Sequence, residues 1–117
     1  MNPLERLQHH ARIEALDADG LAAFAHVPAP GLLLVPGDPS RPEATDVAVV
    51  LGELAERFPR LRVAVAPEGH EQAMRAQLGV TAFPALLFVK GGRVVTTLAR
   101  MQAWSAYESA ARELEVS

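Results

Sequence analysis

There is no cysteine anywhere in the 117 residues. That absence excludes disulfides, thiolate metal sites, iron–sulfur ligation and any reaction needing a thiol nucleophile or a dithiol redox pair. Lysine is almost missing too: Lys90 stands alone, and the other basic residues are arginines scattered along the chain. With 14 acidic against 11 basic side chains and a formal charge of −3, no cationic cluster exists of the kind phosphate backbones require. Nucleic acid is therefore not an expected partner, and a mildly acidic surface suits a basic one instead. No apolar run approaches the ~20 residues of a membrane span. The opening Met-Asn-Pro-Leu-Glu-Arg lacks the basic-then-apolar order of a secretory signal. A cytoplasmic protein without membrane insertion is expected.

The motifs of metal and nucleotide chemistry are missing as well. His9 and His10 are adjacent, which sends their rings to different faces of a helix; His26 and His70 stand apart, and no HExxH spacing occurs. The glycines form neither a GxGxxG nor a Walker pattern. No metal and no cofactor are expected.

What the chain does have is enough apolar sequence for one core. Half of its residues are hydrophobic and 21% are charged, ordinary for a globular protein, and the length fits a single domain over residues 1–117. Asn2-Pro3-Leu4-Glu5 opens a helix over residues 3–10, with Asn as cap, Pro in the first turn and Glu5 three residues after the cap. A short strand is expected at 12–15. Asp17 caps a second helix over 18–26, with Leu16 and Leu21 as its hydrophobic staple. Residues 31–35, Gly-Leu-Leu-Leu-Val, make an unbroken apolar run, the pattern of a strand buried on both faces.

The polar, proline-rich residues 36–46 read as a loop. A helix over 46–58 follows, with Val47, Val50, Leu51, Leu54 and Phe58 on one face. Pro59 ends it, and Gly52 inside it predicts close helix packing. A strand over 61–66 and a weaker helix closed by Gly79 come next. Then a strand runs to Lys90, Gly91-Gly92 turns the chain, and a strand covers 93–98. Ser105-Ala106-Tyr107-Glu108 is a capping box for a last helix whose buried stripe is Tyr107, Ala110, Ala111 and Leu114. Alternating strands and helices closed by a hairpin and one helix imply an α/β fold: a central mixed β-sheet flanked by helices on both faces.

Two landmarks give residues 12 to 115 a family likeness. One is the apolar strand at 32–35 leading through a loop into the long helix; the other is Gly79-Val-Thr-Ala-Phe-Pro-Ala-Leu-Leu-Phe-Val-Lys-Gly-Gly92. Together they resemble the thioredoxin fold, in which a CxxC motif occupies that loop and a cis-proline the second segment. Pro84 would be that proline, and Ala82 and Phe83 would offer backbone groups to an extended peptide by strand addition. Here the CxxC position holds Gly37-Asp-Pro-Ser-Arg-Pro-Glu43. Ser40 has no evident base nearby in sequence, and a hydroxyl cannot form a disulfide, so thioredoxin-type redox activity is excluded.

The cysteine-free version has a closer likeness. The stretch through Asp38, Pro39, Arg41, Pro42, Glu43, Asp46, Glu53 and Leu54, joined to the Pro84 segment, resembles the HyaE/HupG hydrogenase-expression accessory proteins. That resemblance implies a non-redox chaperone in the maturation of an uptake [NiFe] hydrogenase. Its partner would be the small-subunit precursor, through its twin-arginine signal peptide or its mature part, with other hydrogenase accessory proteins as further candidates. The partner-binding residues would be Asp38, Arg41, Glu43, Asp46, Val49, Glu53, Phe83, Pro84 and Trp104. Asp38, Glu43, Asp46 and Glu53 would make an acidic rim that reads basic residues.

The residues read alone leave other accounts open. Carboxylates near a helix N-terminus serve caps and the macrodipole at about 0.3–1 kcal/mol each, which would suffice for Asp46 and Glu43. Glu53 has an i,i+4 partner in Arg57. Phe24, Phe58, Phe83, Phe88 and Tyr107 suit a core, Trp104 a core edge or a partner contact, and Val49 an exposed contact one turn from Glu53. A generic peptide-binding module of thioredoxin fold is the rival reading. A small enzyme using the loop carboxylates is a third, but without metal motif, phosphate loop or nucleophile no enzyme is expected.

Overall fold

In the computed structural model, which describes residues 2–10, 12–67 and 69–116, ten elements follow one another. They are α1 (Pro3–Gln8), β1 (Ile13–Ala15), α2 (Ala18–His26), β2 (Gly31–Val35), α3 (Pro42–Arg57), β3 (Arg62–Val65), α4 (Glu71–Leu78), β4 (Ala85–Lys90), β5 (Arg93–Ala99) and α5 (Trp104–Val116). The strands form one mixed sheet in the order β1-β3-β2-β4-β5. Pairing is parallel among β1, β3 and β2, and antiparallel between β2 and β4 and between β4 and β5.

The period of two along each strand divides the apolar residues between two cores. Leu32, Leu34, Val63, Val65, Leu86 and Phe88 face α1, α3 and α5. Their neighbours Leu33, Val35, Ala64, Leu87 and Val89 face α2 and α4. The run Leu32-Leu33-Leu34 is unbroken because both faces of the strand are covered; all three are fully buried, each contributing about 1.5–3 kcal/mol. Gly91 and Gly92, at φ 65 and 79, supply the left-handed pair that turns β4 into β5. No helix among the described residues is long and apolar enough to cross a membrane.

The caps behave as their residue types dictate. Asn2 Oδ1 accepts the Glu5 N–H at 2.8 Å, and Asp17 Oδ1 accepts the Gly20 N–H at 2.7 Å. Four expectations need correction. The long helix begins at Pro42, not Asp46: Arg41 is its extended cap residue and Pro42 its first residue, so Pro42-Glu43 form the first turn and Asp46 caps nothing. Arg12 lies outside β1 and instead donates to the carbonyls of Ala55 and Pro59, at the C-terminal end of α3. Helix α5 begins at Trp104, which puts Ser105 inside the helix and not at its cap. Gly52 lies beside α1, but the packing does not require glycine: among the described residues an added Cβ would meet only Leu7 Cδ2, at an ordinary 3.8 Å.

Candidate functional site

Three segments distant in sequence converge beyond the end of β2: the loop at 36–41, the turn at 81–84, and Arg100 after β5. With Glu71 and Arg75 of α4 they line a groove of about 520 Å³. Gly37 lets two of these segments touch. Its φ is +70°, and an added Cβ would lie 2.6 Å from Phe83 Cβ, so the loop lies directly against Phe83. The Phe83–Pro84 bond is cis, as the resemblance implied. Among the described residues no hydrogen bond reaches the backbone N–H or C=O of Ala82 or Phe83.

The carboxylates have separate duties. Asp38 Oδ1 accepts from the Ser40 N–H at 2.9 Å and the Ser40 hydroxyl at 2.7 Å. The hydroxyl, then the N–H, hold the Asp38 carboxyl below its ordinary pKa, with Arg41 adding to the effect. Glu43 faces into the chain. Its Oε2 accepts the Met101 N–H at 2.8 Å, and its Oε1 accepts from Arg100 Nε and Nη2, both at 2.7 Å. The Met101 bond foremost, with Arg100 behind it, lowers its pKa.

Arg100 is held in the left-handed region at φ 62. Its N–H donates to the Pro84 carbonyl at 2.6 Å, and its carbonyl accepts from the hydroxyl of fully buried Tyr107 at 3.2 Å. That hydroxyl in turn accepts the Gln102 N–H at 3.0 Å. A continuous set of bonds therefore ties the first turn of α3 and the start of α5 to Pro84. Glu43 is a clasp within the fold.

The nine residues singled out from sequence do not share one surface. Asp38, Arg41 and Phe83 line the groove, with Pro84 buried behind them. Asp46 is exposed in the second turn of α3. Val49, half exposed at 51%, and Glu53 border a second groove of about 270 Å³, between α1 and α3. Ten residues along a helix separate Glu43 from Glu53, about 15 Å. Trp104 packs against the core beside α3, with the Arg57 guanidinium 5.2 Å from its ring centroid.

Sequence reasoning missed Arg75 and Arg100. The Arg75 guanidinium lies 5.0 Å from the Phe83 ring centroid and donates to the Thr81 carbonyl at 3.3 Å. Its sequence neighbours carry no sign of that contact, because it is made by the turn that follows α4. Among the described residues no group of three or more His, Asp or Glu side chains could hold a metal ion. The groove offers backbone groups, an aromatic ring and guanidinium groups: features for holding a chain.

A model of the family described as hydrogenase-1 expression protein HyaE matches residues 4–107. Hydrogenase expression/formation protein HupG of Bradyrhizobium diazoefficiens is 47% identical over 89 residues, covering 74% of this chain and 60% of its own length. This chain thus spans about three-fifths of that relative. HoxO of Azotobacter vinelandii, also a hydrogenase expression/formation protein, is 36% identical over 105 residues, 89% of this chain and 71% of its own. Among solved structures, a thioredoxin of Malassezia sympodialis superposes with a TM-score of 0.74 at 10% identity, covering 89% of this chain and 91% of its own. The oxidised thioredoxin of Plasmodium falciparum gives 0.71 at 13%, covering 86% and 96%. At those identities the likeness is one of fold: the architecture is thioredoxin-like.

Proposed function

The chain belongs to the HyaE family of hydrogenase expression proteins, and from that premise we propose that it is a non-enzymatic chaperone in hydrogenase maturation. Its partner is the small-subunit precursor of an uptake [NiFe] hydrogenase, held before twin-arginine export. The observation that carries this reading is the groove at Phe83, where backbone groups of Ala82 and Phe83, unpaired among the described residues, lie beside Gly37 with no thiol in reach. An extended segment of the precursor adds to that backbone as a strand would. Asp38, Arg41 and Phe83 form the contact, with Pro84 buried behind them, and Asp46, Val49 and Glu53 along α3 meet basic or apolar residues that flank the segment. Glu43 and Trp104 support the surface from within. The work takes place in the cytoplasm, where the precursor is made.

Calorimetric titration with the matching precursor, with and without its signal segment, tests this reading. Saturable binding by at least one form is expected. No binding by either form would contradict it and leave the generic peptide-binding module as the better account.

A further inference from the structure

We propose that the groove at Phe83 selects an extended peptide that places an acidic side chain against Arg75. The inference rests on the use of the Phe83 face for peptide binding and names the chemistry that face prefers.

Three arginines line the groove, and their circumstances differ. Arg100 is neutralised by Glu43 at 2.7 Å. Arg41 and Arg75 have no carboxylate within 4 Å among the described residues. The two acids of the groove do not change this. Asp38 turns its Oδ1 to Ser40, and Glu71, in the first turn of α4, makes no ion pair with Arg75 despite its i,i+4 spacing. Arg75 is exposed yet held in place, its guanidinium over the Phe83 ring and one N–H on the Thr81 carbonyl. A donor fork held this way loses little freedom on binding, and a carboxylate matches it in shape and charge.

Register connects this fork to the bound chain. A segment pairing with the backbone of Phe83 passes the guanidinium that lies over the same residue's ring. An arginine or lysine at that point of the ligand would face Arg75, with Arg41 in the same groove, and is disfavoured. Basic residues are left to the exposed carboxylates of α3.

The test uses the full chain and blocked nine-residue peptides of alternating Thr and Val, with Glu, Gln or Arg at the central position. Fluorescence anisotropy is expected to rank Glu over Gln by about three- to tenfold, with Arg weakest. Arg75→Gln should erase the Glu-over-Gln preference, while Arg75→Lys keeps part of it. Circular dichroism checks that both variants stay folded. Equal affinities, a preference for Arg, or no binding by any of these peptides would overturn the inference. So would a central-Gln peptide with a free C-terminal carboxylate matching the Glu peptide, since the groove would then read a chain end. Precursor binding without a Glu preference would sink this inference alone. A Glu preference without precursor binding would sink the hydrogenase partner alone.

Discussion

The groove at Phe83 and the groove between α1 and α3 are made in opposite ways. The first gathers Gly37, Arg75, Phe83 and Arg100 from four separate parts of the chain and fixes them with the Glu43 clasp and the Gly37 contact. It leaves backbone groups unpaired and two guanidinium groups without a carboxylate within 4 Å among the described residues. The second is a seam between two helices in which His10 lies 3.6 Å from Glu56 and Glu53 lies 3.9 Å from Arg57, while Arg6 makes no ion pair among the described residues. Binding needs groups that are both unsatisfied and held still. The first groove holds its open groups by tertiary contacts, and none of those contacts needs a thiol. The groove therefore keeps its shape in a thioredoxin-like frame that holds no cysteine.

The largest expected effect comes from closing the first groove. Gly37→Val sets a branched side chain at φ +70°, where even a Cβ would overlap Phe83. It should weaken precursor binding more than about tenfold and cost about 1–3 kcal/mol of stability. Val49→Ser, in the second groove, should leave affinity within about twofold. Titration calorimetry and urea unfolding on both variants check the contrast, and the reverse ranking would transfer the site to α3.

A smaller loss is expected from Tyr107→Phe, which removes the hydroxyl bonded to Arg100 and Gln102. The cost should be about 0.5–1.5 kcal/mol in urea unfolding, with weaker peptide binding because Arg100 holds the Pro84 carbonyl.

Glu43→Gln sharpens the comparison through pH. The folded state lowers the Glu43 pKa from its ordinary 4.5, so its contribution is complete above that value and disappears as pH falls through the lower folded value. The wild type should exceed the variant in urea midpoint by a constant margin above about pH 6, and the margin should shrink below about pH 4. A margin that grew on acidification would refute the clasp. The smallest effect is expected of Glu53→Gln: its exposed i,i+4 pair is worth about 0.3–0.5 kcal/mol, so the melting temperature should hardly move.

Much of this was legible in the sequence where local chemistry sufficed. The caps at Asn2 and Asp17, the doubly buried Leu32-Leu33-Leu34 strand, the Gly91-Gly92 turn and the apolar face of α3 all follow from residue types at short spacing. The start of α3 was misjudged because Pro42 can equally end a loop or open a helix, and only the extended conformation of Arg41 decides between them. The candidate site was half legible. Phe83, Pro84, Asp38 and Arg41 came from the joined landmarks, whereas Arg75 over Phe83 and Glu43 on Arg100 are tertiary contacts, the latter spanning 57 residues. An acid at a helix start looks the same in sequence whether it meets a partner, the helix dipole or an arginine far along the chain.

The central claim is that the thiol-free Phe83 groove holds the partner. The most direct measurement is a backbone amide chemical-shift map of the isotope-labelled chain, recorded while the precursor segment found to bind is added. The account predicts the largest shifts at Gly37, Asp38, Ala82 and Phe83, with the Arg75 side-chain signal moving alongside them. Shifts centred instead on Val49, Gly52 and Glu53, with Phe83 unmoved, would contradict it.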